Sequence, residues 1–543
     1  MKTKRRIISF FLAFCMLLTC MPNNMVYASA AEASEASSFS GGSGTENDPY
    51  ILANADDFKK LAEDVDGGTS YEGTYFKVSD AVTEPIALTT DGGFVPIGTE
   101  GKSFNGIFDG NGKTVNLSVD LADTNTGYVG LFGNTGGNSV VKNVTTAGTV
   151  KACQFVGGIA GFAVGKIINC HNEADVTASE TIVGGIVGYA SSDVVNCSNS
   201  GSVSCSSGTK VGGIMGNMNA YVINCLNTGS VTGKDCIGGI AGYAWEYEIK
   251  NCVNNAVVTK TGDSSNAVGG IIGQFGCNTS ITNCYYNQTE NSGLCDAGYD
   301  GTNNEAVTTK KCAVSGEDIV SDTVLDSLNV YASKNTAANT ALLYWKADGA
   351  VISLTSEKPE LPYTITNNST DYLSVDSYAR KEAEVTVTVI NVPDYLVVSG
   401  ITVKDANGTD VATTKTAEGY TFTMPESDVT VSATTDIKLT QTDGVYQIGS
   451  ADEMKILSNA VNNGYDTTDK RFKLTENVSL STSGGFAPIG KESNKFKGTF
   501  DGGNNTVSLD LQLTSKDYVG LFSYSASGSV IKNMALSQQM VDF

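Results

Sequence analysis

Few residues in this 543-residue chain have the types and spacing for chemistry. There is one histidine, His171. A Ser-His-Asp hydrolase is built around a histidine, and a zinc protease needs the pair in His-Glu-x-x-His. The absence of that pair excludes a zinc protease. In the repeats set out below, His171 falls in a slot that Ser198, Leu226 and Val253 fill in other coils, so a catalytic role is not expected. Carboxylates are numerous, but they do not recur as the Asp clusters of polysaccharide hydrolases, nor with the Lys or Arg base of calcium-dependent lyases. Asp109 and Asp501 sit in matching Asp-Gly turns and read as turn formers.

Thirteen cysteines offer the next possibility. Five of them, Cys170, Cys197, Cys225, Cys252 and Cys284, share one repeat position, whereas Cys153, Cys205, Cys236, Cys277, Cys295 and Cys312 lie off it. A compact Cys-x-x-Cys zinc spacing is missing. A column of small buried thiols is the favoured reading; some disulfides remain an alternative, because an exported protein meets oxidising conditions. Aromatic residues follow the glycine-rich blocks at Phe132, Phe162, Tyr189, Tyr243 and Phe522. Such a column is usually packing, although stacked rings also hold sugars. No catalytic, cofactor-binding or metal-binding residue is assigned.

What positions these residues is a repeat. Val156-Gly157-Gly158-Ile159-Ala160-Gly161-Phe162 returns as Val183 to Tyr189, Val211 to Asn217, Ile237 to Tyr243 and Val268 to Gln274. About ten residues after each block comes an Asn-Cys pair: Asn169-Cys170, Asn196-Cys197, Asn224-Cys225, Asn251-Cys252 and Asn283-Cys284. Gly130-Leu131-Phe132-Gly133 with Lys142-Asn143-Val144 is a divergent first copy. Strand-length Val/Ile runs alternate with Gly, Asn and Ser turns. One such repeat of about 27 residues cannot bury its own apolar face, but stacked copies can. That length suits one coil of a three-sided parallel β-helix. The Gly-Gly pair suits a sharp bend or a close backbone approach. Stacked turn asparagines would bond their own backbone and one another.

The Gly-Leu/Ile-x-Gly blocks resemble the GLUG-motif family. The stretch from Phe104 to Val115 resembles the element that precedes such repeats. The likeness covers about residues 42–360. It implies a right-handed parallel β-helix of pectin-lyase type, found in bacterial surface proteins and in non-catalytic regions of IgA1-cleaving metalloproteases. Glu384 to Val389, Tyr420-Thr421-Phe422-Thr423-Met424-Pro425 and Asp428-Val429-Thr430-Val431 resemble a divergent internalin-type B-repeat. That likeness implies a small all-β spacer or binding module. The family motifs are structural, so no site residue carries over from them.

The expected order follows. Residues 1–30 read as a secretory signal peptide, with basic Lys2, Lys4, Arg5 and Arg6, an apolar Ile7 to Leu18 and a small-residue site at Ala28-Ser29-Ala30. Residues 31–41 are a linker, 42–118 an opening module, 119–287 the repeat array and 288–360 an exit cap. Residues 361–436 are the B-repeat-like module. Residues 437–543 repeat the opening module: Phe486-Ala487-Pro488-Ile489-Gly490 matches Phe94-Val95-Pro96-Ile97-Gly98. This second β-helix start carries about one coil, from which a longer parent protein is expected. Short helices are expected from Asn54, Ser321 and Ser450.

Removing the four basic residues of the leader takes the net charge from −23 to −27. That acidity, spread along the chain, argues against nucleic acid or an anionic membrane as partner. No second apolar stretch is present, so membrane insertion of the mature form is not expected. The fold expected is all-β. The function expected is a secreted or cell-surface, adhesin-like protein that binds host or matrix glycans or proteins without catalysis or cofactor. A passive stalk is the alternative, and a polysaccharide-active β-helix enzyme a more distant one. Variable loops at Ala220-Tyr221, Trp245-Glu246-Tyr247 and Ser264-Ser265-Asn266 are where binding would sit. The oligomeric state is not legible.

Overall fold

The computed structural model describes residues 39–538, except 125, 262–266, 277, 301–304, 307–310 and 513–518. The leader, most of the linker, the Ser264-Ser265-Asn266 loop and Cys277 lie outside the described residues. The chain forms two compact units: residues up to 316 with 337–340, and residues 317–336 with 341 onward.

The first unit is a parallel β-solenoid. Its register equates one residue per coil. Val156, Val183, Val211, Ile237 and Val268 are successive partners. So are Ile167, Val194, Val222, Ile249 and Ile281. The strands form one 20-stranded and one 12-stranded sheet. The long strands Ile107–Asp120 and Val140–Ala152 run through the corners and merge the runs of later coils into the larger sheet. Nearly every inward Val and Ile of the array is fully buried. At the start, helix α1 (Ala55–Asp66) is capped by Asn54, and its Phe58, Leu61 and Val65 are buried.

One corner of each coil is made by asparagine. Asn143, Asn169, Asn196, Asn224, Asn251 and Asn283 all have φ between 50° and 58°. Asparagine tolerates this left-handed region better than any β-branched residue. Each carboxamide donates to the one in the preceding coil, at 3.1, 2.8, 2.7, 2.6 and 2.6 Å. The lowest rung, Asn143, donates to Asp109 Oδ1 at 3.0 Å. Asp109 Oδ1 also accepts from Asn111 N–H, so the aspartate of the turn anchors the ladder as well.

The Gly-Gly pairs from Gly157-Gly158 to Gly238-Gly239 serve both roles: the second glycine of each lies at a bend of the chain, without positive φ, and in close approach. A Cβ on Gly158 would lie 2.0 Å from Asn172 Oδ1, and one on Gly185 or Gly213 2.3 Å from Cγ of Asn199 or Asn227. These asparagines form a second ladder inside the coil. Asn172 donates to Asn199, Asn199 to Asn227 and Asn227 to Asn254, at 2.8 to 2.9 Å. All four are fully buried. In the next coil Tyr286 takes the slot and its ring covers Gly270.

The second unit holds helix α2 (Asp322–Lys334), begun by Ser321, and helix α3 (Ala451–Asn462), begun by Ser450. Between them lies an antiparallel β module. Glu384–Val389 pairs with Gly419–Thr423, and Leu396–Asp405 pairs with Val429–Ile437. Val385 and Val387 face its core while Glu384 and Thr386 face out, as period-two alternation requires. Arg380 joins α2 to this module through Asp326, at 2.8 Å. After α3 a parallel stack begins again: Tyr446, Phe472, Phe500 and Ile531 are successive partners. Asp501 Oδ1 accepts from Gly503 N–H and from Asn533, which repeats the anchor at Asp109.

Among the described residues, no helix is long and apolar enough to cross a membrane.

Candidate functional site

His171 is close to a serine and an acid. Its Nδ1 lies 2.6 Å from Ser198 Oγ, and its Nε2 lies 3.4 Å from Glu173 Oε1. The distances resemble a triad, but Nδ1 is also 3.0 Å from the Ser198 carbonyl oxygen. A carbonyl only accepts, so that bond requires Nδ1 to carry the proton. A protonated Nδ1 cannot take a proton from Ser198. Burial lowers the histidine's affinity for a second proton, against the pull of Glu173. The group reads as a cross-coil bond in the slot shared with Leu226 and Val253.

The five repeat cysteines form the expected column. They are buried, and none of the described cysteines is in a disulfide. Cys170 N–H donates to Cys197 Sγ at 3.4 Å, and Cys225 N–H to Cys252 Sγ at 3.3 Å. Their thiols point to carbonyls of the same coil, Ile168 and Val195 for the first two. Burial pushes the Cys170, Cys197 and Cys252 thiols far up, which suppresses nucleophilic thiolate. Among the described residues, no group of three or more His, Cys, Asp or Glu is placed to hold a metal ion.

The expected aromatic column divides in two. Phe162, Tyr189 and Tyr243 stand on the outer face, in register with Asn134, Asn217 and Gln274. Phe132 pairs with Ala160 instead, is fully buried, and packs against Phe104 and Phe108. Phe522 occupies the matching inward place beside Phe496 and Phe500. In Gly-Leu-Phe-Gly the aromatic precedes the second glycine, whereas in Gly-Ile-Ala-Gly-Phe it follows. A two-residue shift alone would keep the face, but the alternation breaks at the intervening glycine, Gly133 or Gly161, and the ring comes out on the other side. Phe162 and Tyr189 stack at 4.7 Å and 11°, so each ring covers the other's face.

One corner is longer than the three before it, and the next, from Phe275 to Ile281, is longer still. Three residues separate Ala163 from Ile167, Ala190 from Val194 and Met218 from Val222; four separate Ala244 from Ile249. The extra residue has two visible effects. Tyr247 takes φ of 86°, a strained value for a ring-bearing residue, costing about 1–3 kcal/mol. Trp245 is turned outward and is 51% exposed. Its indole is held in place: it lies on Gly276, where a Cβ would come within 2.6 Å of the ring, and it runs parallel to Tyr243 at 6.5 Å. Lys210 Nζ sits 4.4 Å over the Tyr243 ring. Beside it, Tyr221 and Tyr247 meet edge to face at 5.3 Å, and Tyr221 is 37% exposed. Lys250 reaches over Tyr221 and pairs with Glu248, which Ser280 also holds. Hydrogen bonds from Lys250 and Ser280 hold the Glu248 carboxyl below its ordinary range.

The structure therefore gathers two of the three variable loops, those at Tyr221 and Trp245, into neighbouring positions on one corner. The lysines were not singled out in the sequence. The extra corner residue was the available signal, visible only once Ile249 is aligned with Val222.

No protein-family pattern matches the chain. A protein of Evansella cellulosilytica, named by inference a Gly-rich membrane protein, is 31% identical over 172 residues; these are 30% of this chain and 18% of that protein. Halomucin of Haloquadratum walsbyi is 31% identical over 136 residues, which are 24% of this chain and 2% of halomucin. The chain thus spans less than a fifth of either relative. A crystal structure from Bacteroides ovatus, named by inference an immunoglobulin A1 protease, matches with a TM-score of 0.42 and 20% identity, covering 59% of this chain and 96% of that one. The assignment as a β-solenoid repeat protein rests on the chain's own strand register.

Proposed function

We propose that the chain is an extracellular or cell-surface repeat protein, adhesin-like, that binds host or matrix glycans or proteins without catalysis. The observation that carries this reading is Trp245, an indole fixed by Gly276 and Tyr243 yet half exposed at a corner with an extra residue. A rigid exposed ring loses little conformational entropy on binding and offers its face to the C–H side of a sugar or to an apolar side chain. Lys210, Lys250 and Glu248 supply polar contacts at the rim. The resemblance to GLUG-motif surface proteins, the B-repeat-like module, the signal-like leader and the membrane-protein name of the Evansella relative support a place outside the cytoplasm.

A stalk is the second reading, favoured by how much of the repeat is spent on buried ladders. Purified residues 31–543 on an array of host glycans and matrix proteins separate the two. Saturable binding that Trp245→Ala abolishes supports the adhesin. No binding across the array leaves the stalk.

A further inference from the structure

The second unit contains a cleft that the platform at Trp245 does not explain. It has a volume of about 410 Å³, within the range of small-molecule sites, and opens where the β module meets the loop after α3. One wall carries Tyr372 and Tyr395; the other carries Asn463, Tyr465, Asp466 and Lys470. All three tyrosines are partly exposed. We propose that this cleft binds a neutral saccharide, stacked on tyrosine and hydrogen-bonded through its hydroxyls to Asn463 and Asp466.

Three features carry this. The first is composition: partly exposed aromatic faces with planar amide and carboxylate groups at one mouth suit a ligand that is apolar on its C–H faces and polar at its edge. The second is charge balance. Lys470 Nζ lies 3.7 Å from Asp436, and Asp466 lies 3.3 Å from Lys497. Each charge at the cleft already has an opposite neighbour, so no net field selects an ion. The third is rigidity. Tyr465 and Tyr446 both donate to Asp436 Oδ1, and Lys470 lies 5.3 Å over the Tyr465 ring. Tyr465 N–H is held by the Ala460 carbonyl, and the Tyr395 carbonyl accepts from Lys438 N–H. The walls are fixed before any ligand arrives, which lowers the entropy lost on binding.

This site is independent of the solenoid platform, and the test keeps them apart. Residues 31–543 are titrated with cellotetraose, maltotetraose, mannotetraose and chitotetraose, followed by saturation-transfer NMR and calorimetry. The expected result is saturable binding of at least one probe. It persists in Trp245→Ala and weakens about tenfold in Tyr395→Ala. Asp466→Asn, an isosteric change at an exposed residue, weakens it as well and guards against misfolding of the tyrosine variant. No saturable binding by any of the four overturns the proposal. So does binding that Trp245→Ala abolishes while Tyr395→Ala and Asp466→Asn leave it intact, an outcome that supports the platform instead.

Discussion

Asn199 shows what a single residue does in this architecture. Its carboxamide accepts from Asn172 and donates to Asn227 Oδ1 and to the Gly201 carbonyl, all inside the coil. Replacing it by alanine removes the donor from two buried acceptors, Asn227 Oδ1 and the Gly201 carbonyl, while the Asn172 amide keeps its bond to the Ala174 carbonyl. At about 1–3 kcal/mol for each of the two acceptors, Asn199→Ala is expected to cost roughly 2–6 kcal/mol. Cys197→Ala removes only a small buried thiol with long contacts, and about 1–2 kcal/mol is expected. Urea unfolding followed by circular dichroism compares the two; equal losses would deny the interior ladder its role. The turn asparagines were legible in the sequence, because an asparagine beside a strand reads as a left-handed corner. The interior ladder was not read, although Asn-Cys-x-Asn recurs. Its burial depends on Gly185 lying opposite Asn199, fourteen residues further round the coil, and a local pattern carries no such pairing.

At the scale of elements, periodicity gave the coil and its length, and capping residues gave the helix starts at Asn54, Ser321 and Ser450. The facing of the aromatics was harder. Phe132 and Phe162 share a motif neighbourhood but not a face, because two residues of offset around a close-packed glycine decide it. The junction of the β module with the second stack was also out of reach, since Asp436, Tyr446, Tyr465 and Lys470 come from separate elements. Burial there opposes ionisation of Asp436, but hydrogen bonds from Tyr446 and Tyr465 outweigh it and hold the carboxyl below its ordinary value of 3.8. A carboxylate lowered by folding stabilises the fold above its unfolded value, and that contribution is lost as the pH falls through the folded value. Asp436→Asn is therefore expected to destabilise the second unit by about 2 kcal/mol at pH 7. The gap to the parent chain should narrow as the pH falls below 3.8 and through the lower folded value. Calorimetric melting at pH 7 and pH 3 checks both halves; a gap that does not narrow would mean that the aspartate acts by shape alone.

The molecule as a whole is close to one-dimensional through its first unit, because each coil pairs only with its neighbours. Stability then becomes a sum of coil and interface terms, and opening starts where an interface is weakest. The interfaces are unequal. From Val156 to Ala256 each coil repeats both asparagine ladders and the thiol column. At the next coil Tyr286 replaces the interior asparagine, and the register shifts between Gly269 and Ile272. The cysteines make this inequality measurable, because successive coils carry buried thiols as reporters. Alkylation by iodoacetamide in sub-denaturing urea, resolved by mass spectrometry, should label half-exposed Cys295 first. Cys312 and Cys284 should follow, and then Cys252, with Cys197 last. A thiol that reacts only on opening reads the free energy of the coil that shields it, so the order of labelling is the order of interface strength. Simultaneous labelling of Cys197, Cys225, Cys252 and Cys284 would show the opposite: a stack that opens as one cooperative block, with the Tyr286 coil bound as tightly as those before it.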